Sequence, residues 1–166
     1  RPAASSGGVS ADNGVFEFDG SNGQQAMTAV RVTAQISARK AWLPFYAGGP
    51  ETFMFIDGRH AALKTSVSPT FTTNMDPVNI RLVHMGEKND RDARYVVFSG
   101  STTDREVQVK TERMGNGDYR IQPATPLQIG EEYAFLVQTT LPVGCGFWSC
   151  FAQYAATSKA YDFGVE

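Results

Sequence analysis

The 166-residue chain is long enough for one domain with a substantial core, with or without an appended arm. Its fifteen Lys and Arg are scattered and offset by seventeen Asp and Glu, a formal net charge of −2, which argues against the concentrated basic face of a nucleic-acid-binding protein. The longest wholly apolar runs are short, as in Ala134-Phe135-Leu136-Val137, far below the ~20 residues a membrane-crossing helix needs.

In chain order, the opening RPAASSGGVSADNG is small and polar and begins at Arg1; the expectation is a mature end left by a removed signal peptide, and a cloning boundary would read the same. Within this arm, taken as residues 1–23, Gly14-Val15-Phe16-Glu17-Phe18 alternates as a short strand. A single β-domain is expected over 24–166. Ala29 to Ser37 alternates in part, as a strand with one wet face does. Thr52-Phe53-Met54-Phe55-Ile56 is continuously apolar and is expected to be buried on both sides. The turn Asp57-Gly58 leads to Arg59–Lys64, the start of another candidate strand. After Ser68-Pro69 come the short Thr70-Phe71-Thr72 and the alternating Asn79–Met85, with Ile80, Leu82 and His84, or their neighbours, on its expected core face.

The charged run Gly86–Asp92 reads as a solvated hairpin loop before Tyr95-Val96-Val97-Phe98. Glu106–Lys110 alternates with period two, and Asn116-Gly117 marks a tight hairpin into Tyr119–Gln122. Pro126–Gly130 is a turn before Glu132–Gln138, and Lys159–Val165 is the expected closing strand. No helix is predicted. Short β-branched and aromatic runs with turn signals every 8–12 residues predict an all-β, antiparallel β-sandwich, Ig-like or jelly-roll-like, with a small barrel as the alternative.

The order Gly58…Ala61…Pro69-Thr70-Phe71, Ile80-Arg81-Leu82-Val83, Arg105-Glu106-Val107, Tyr119–Pro123, Gly130-Glu131-Glu132-Tyr133-Ala134-Phe135 and Tyr161-Asp162-Phe163-Gly164-Val165 resembles a loose group of uncharacterised exported bacterial β-domains with a "PGEYAF…YDFGV" closing pattern. The resemblance spans roughly Phe53 to Glu166 and rests on turns and strand ends, so it implies a fold and brings no activity with it. Ile129-Gly130 stands where the pattern has Pro-Gly, and Cys145 to Cys150 fill the gap before the last strand.

Those two cysteines flank Gly146-Phe147-Trp148-Ser149. A structural zinc site needs about four Cys or His ligands, and this chain has two of each, Cys145, Cys150, His60 and His84, with the cysteines too widely spaced for a zinc knuckle. Thioredoxin-like chemistry calls for Cys-x-x-Cys at a helix start. A disulfide between Cys145 and Cys150 is the remaining reading, contributing about 2 kcal/mol in the chain-entropy description. It would hold Phe147 and Trp148 either as a cap on one end of the sandwich or as a pre-organised anchor for a partner. Trp42-Leu43-Pro44-Phe45-Tyr46 poses the same choice.

No nucleophile elbow, phosphate-cradling loop or His-Glu-x-x-His occurs. Asp76, Asp90, Asp92 and Asp104 have no spacing that singles them out as glycosidase acids or calcium ligands. The expectation is therefore a non-enzymatic chain with no catalytic residues, metal or cofactor: a structural subunit of an envelope-associated or extracellular assembly. It would contact a protein partner, copies of itself included, through the N-terminal arm. An extracytoplasmic binding or adaptor module is the alternative, and a hydrolase with a dispersed site comes third. The candidate interface is Val15, Phe16 and Phe18 with Phe147 and Trp148, and residues 14 to 18 are expected to add a strand to a neighbouring subunit's sheet in preference to their own.

Overall fold

The computed structural model describes residues 16–20, 23–36, 51–99, 102–137 and 159–166. Among them, fourteen strands and one 3-10 turn at Pro77–Asn79 are the regular elements. Among the described residues no helix is long and apolar enough to cross a membrane. The protein is all-β and built from antiparallel sheets.

In chain order the strands are β1 (Phe16–Gly20), β2 (Gly23–Ala26), β3 (Val30–Arg31), β4 (Thr33–Ile36), β5 (Glu51–Asp57), β6 (Lys64–Thr65) and β7 (Phe71–Thr73). Then follow β8 (Ile80–Lys88), β9 (Ala93–Ser99), β10 (Glu106–Val107), β11 (Val109–Arg113), β12 (Tyr119–Pro123), β13 (Glu132–Val137) and β14 (Lys159–Val165). They form a five-stranded sheet, β11-β12-β7-β1-β2, and a nine-stranded sheet whose main path is β3-β14-β13-β8-β9-β5-β4, with β10 on β8 and β6 on β14.

The larger sheet curls almost into a barrel because its two edges belong to one stretch of chain. Val30 and Arg31 pair with Ala160 and Lys159 of β14, while Thr33 to Ile36 pair with Phe55 to Thr52 of β5. Val32, between the two pairings, points into the interior and is 2 % exposed. The expected single strand from Ala29 to Ser37 is thus two strands with a switch of partner at Val32.

Alternation then sorts the side chains into two cores. Val83, Met85, Val96, Phe98, Met54, Ile56, Ala134 and Leu136 fill the curled sheet. Their neighbours Leu82, Tyr133, Phe135, Tyr161 and Phe163 point the other way, onto Phe16, Phe71 and Ile121 of the smaller sheet. β13 is the shared wall, buried on both faces, and so has no polar alternation to display. Both predicted architectures are therefore present: a sandwich in which one layer is the side of a barrel.

β5 meets its expectation of burial on both faces except at Phe53. Thr52, Met54 and Ile56 point inward; on the other face Phe55 is 3 % exposed and Phe53 half-buried, packed with each other and with Tyr95 at centroid separations of 6.3 Å. The Arg91 guanidinium sits 4.2 Å over the Phe55 ring. Of Arg59–Lys64 only Lys64 enters a strand, and β6 pairs parallel with β14. Ala61 is kept out of any ladder because its N–H donates to the Glu132 carboxylate at 2.8 Å. The alternating Glu106–Lys110 is two strands, divided at Gln108, where the chain passes from β10 on the larger sheet to β11 on the smaller.

Phe16 and its strand require a correction of the arm reading. β1 lies inside the chain's own smaller sheet, between β7 and β2, with Phe16 opposite Thr73 and Phe18 opposite both Phe71 and Gln25. Phe16 is 1 % exposed and stacks on Phe135 and Tyr161 at 4.7 and 4.8 Å. Burying such a ring stabilises by about 2–3 kcal/mol, which no exposed arm would recover. A boundary after residue 23 would cut β2.

Candidate functional site: a charged plug and an open sheet edge

The densest chemistry lies at one end of the curled sheet. Arg94 enters on β9 facing inward and is 1 % exposed. Its Nε donates to Gly58 O at 2.8 Å, Nη1 to Glu132 Oε2 at 3.2 Å, and Nη2 to Asp162 Oδ2 at 2.7 Å and Asp57 O at 3.4 Å. Glu132, at the start of β13, also accepts from Ala61 N–H and from Lys64 Nζ, each at 2.8 Å, and contacts His60 Nδ1 at 3.3 Å. Burial pushes its carboxyl upward, but the hydrogen bonds from Lys64 and Ala61, the Lys64 charge and the His60 contact outweigh that and hold it below the ordinary carboxylate value.

The plug is a closely satisfied network. An ionised carboxylate has about four acceptor positions, and four donors or donor-capable groups surround Glu132. The geometry also explains the closing pattern seen in the sequence. Tyr161 and Phe163 pack into the sandwich core, Asp162 turns inward to Arg94, and Gly164 leaves room for the Lys64–Glu132 pair. A Cβ at Gly164 would overlap Lys64 Nζ and come within 2.8 Å of Glu132 Oε1. Arg94, Asp162 and Glu132 are the functional-looking residues that sequence reasoning did not single out; the only signal for the two acids was their place in the resemblance, and Arg94 had none.

The histidines go to separate partners. His60 joins the plug from its exposed rim, with 68 % of its side chain accessible. His84, expected on a core face, lies at that face's margin: its ring stacks on Tyr133 at 5.0 Å, its Nε2 meets Glu131 Oε2 at 2.8 Å, and Arg105 Nη1 is 3.3 Å from its Nδ1. Asp76 caps the 3-10 turn through Val78 N–H, Asp90 pairs with Lys88, and Asp92 pairs with Arg59. Among the described residues no three His, Cys, Asp or Glu side chains gather as a metal site. Val15, Cys145, Phe147, Trp148 and Cys150, like Trp42–Tyr46, lie outside the described residues.

The second feature is the contrast between the two edges of the smaller sheet. β11 carries Lys110, Glu112 and Arg113, charges of the kind that discourage strand addition, and Glu112 is bridged to Arg120 of β12 at 3.2 Å. β2 reads Gly-Gln-Gln-Ala, has neither charge nor proline, and is exposed along its whole length. Met27 N donates to Phe16 O at 2.7 Å, so Met27 and Gln25 serve β1, and alternation aims the N–H and C=O of Gln24 and Ala26 outward. Among the described residues nothing pairs with them.

Comparison with protein families, with characterised proteins and with solved structures returned no match to this chain.

Proposed function

We propose that this chain is a non-enzymatic structural subunit of an extracytoplasmic assembly, and that its first contact is edge-to-edge pairing of β2 with β2 of a second copy. The observation that carries the reading is the undefended β2 edge beside a defended β11 edge. Two antiparallel β2 strands related by a two-fold axis would satisfy the outward groups of Gln24 and Ala26 in both copies and join two five-stranded sheets into one. The N-terminal hairpin then makes the contact as an acceptor edge, with its own first strand built into the core. The extracytoplasmic setting rests on the disulfide expected between Cys145 and Cys150.

Light scattering over a concentration series tests this. The expected result is a reversible dimer that Gln24→Pro abolishes, because proline removes an outward N–H while leaving the β1 ladder intact. A chain that stays monomeric, or a dimer indifferent to Gln24→Pro and Ala26→Lys, would count against it.

A further inference from the structure

Edge pairing of β2 admits few registers, and the backbone singles out one of them. Met27 N donates to Phe16 O, and alternation from that bond turns the N–H and C=O of Gln25 toward β1 and those of Gln24 and Ala26 away from it. A second β2, laid antiparallel about a two-fold axis, must set outward groups against outward groups. An axis through Gln25 pairs Gln24 with Ala26 of the second copy, and the reverse, so that every outward group of both strands is satisfied. An axis through Gln24 or Ala26 lets that residue meet itself but carries the other past the end of a strand that runs only from Gly23 to Ala26. An axis between two residues sets outward groups against ones already bonded to β1.

In the favoured register the two copies of Gln25 face each other as a non-hydrogen-bonded pair, with Cα atoms about 4.5 Å apart, the close spacing of an antiparallel ladder. Gln25 lies opposite Phe18, and alternation from the buried Phe16 places both on the inner face of the sheet. Phe18 is partly buried there against the core, its ring 5.8 Å from that of Phe71, whereas Gln25 is exposed. A primary amide carries both donors and an acceptor, so two identical side chains complete each other, which two carboxylates or two ammonium groups cannot do.

The acids of the outer face do not oppose this contact. Glu17 lies opposite Ala26 and Asp19 opposite Gln24. With Ala26 paired to Gln24 of the second copy, Glu17 and the second copy's Asp19 end one cross-strand row, separated by three strand spacings, about 14 Å. That exceeds the screening length of about 8 Å at physiological salt.

We propose that Gln25 is the residue that sets register and self-specificity in association through β2: it sits on the two-fold axis and pairs with Gln25 of the second copy. The assignment rests on the edge pairing of β2 and adds to it one register and the residue at its centre.

Full-length Gln25→Glu and Gln25→Lys are compared with the parent chain by sedimentation velocity at low salt. Because Gln25 is exposed, both variants should keep the parent's far-ultraviolet circular dichroism. Each alone should dimerise about fivefold more weakly than the parent, since like charges then stand directly opposite each other. Their equimolar mixture should recover the parent's affinity by forming the mixed dimer. Salt at about 1 M, where the screening length is about 3 Å, should return each single variant toward the parent, which a damaged fold would not do. In a register centred on Gln24 or Ala26, Gln25 faces Gly23 or Met27 of the second copy, and the two variant charges are no longer opposite each other. A dimeric parent whose two variants associate unchanged, or whose mixture associates as weakly as each variant alone, overturns the assignment and leaves edge pairing standing. A parent chain that stays monomeric overturns both.

Discussion

Arg94 and Glu132 stand 38 positions apart in the chain and meet at 3.2 Å, with side-chain exposures of 2 % and 7 %. Each has further partners, Asp162 and two carbonyls for the arginine, Lys64, His60 and the Ala61 N–H for the glutamate. Removing one member of a buried pair leaves the other charged and without compensation. Arg94→Met is accordingly expected to destabilise the fold by about 3–5 kcal/mol, read from urea denaturation. An effect below ~1 kcal/mol would mean that the plug is solvated in solution.

Glu132 also sets a pH dependence. Its folded-state pKa lies below the ordinary value of 4.5. A depressed carboxyl stabilises the fold fully above the unfolded-state pKa, and that contribution is lost as pH falls through the folded-state value. The stability gap between the parent chain and Glu132→Gln should therefore be constant near neutrality and shrink below pH 4.5. Denaturation curves for both proteins across that range decide it; a gap that widens in acid has the wrong sign.

Phe16 gives the test of where the arm belongs. With the ring 1 % exposed against Phe135 and Tyr161, Phe16→Ala should cost about 3–5 kcal/mol even in a dilute monomer. Deleting residues 1–20 removes β1 from the middle of its sheet and should unfold the smaller sheet. A truncated chain with an unchanged melting curve would show the strand to be dispensable.

At Gly164 a methyl group would collide with the Lys64 amine. Gly164→Ala alone should destabilise by about 1–3 kcal/mol through displacement of Lys64 from Glu132. Combined with Lys64→Ala, it should cost less than the sum of the single changes, since the sharper of the two overlaps then disappears and only the approach to Glu132 Oε1 remains. Additive costs in this double-mutant cycle would place the strain elsewhere.

The strands with strong local signatures were legible in the residues themselves. β8, β9, β12, β13 and β14 follow from β-branched and aromatic runs, and the hairpin at Asn116-Gly117 from its turn chemistry: Asn116 Oδ1 accepts from Asp118 N–H at 3.0 Å and Gly117 has φ 91°. These are local properties, settled by neighbours a few positions away.

Partner choice was not legible. β2 carries no propensity and exists only because β1 offers it a ladder, and alternation at Gln108 runs unbroken through a change of sheet. Whether Phe16 belonged to this chain or to a neighbour depended on an apolar hole between Phe135 and Tyr161, which forms only when strands far apart in sequence come together. The charged residues carried even less signal, since a buried arginine and an exposed one have the same letter. The residues by themselves thus determined an all-β chain and the places where it turns. The tertiary structure alone decided which edges are paired, which is left unpaired among the described residues at Gln24, and which charges are locked away, because pairing and burial are properties of contacts between distant segments.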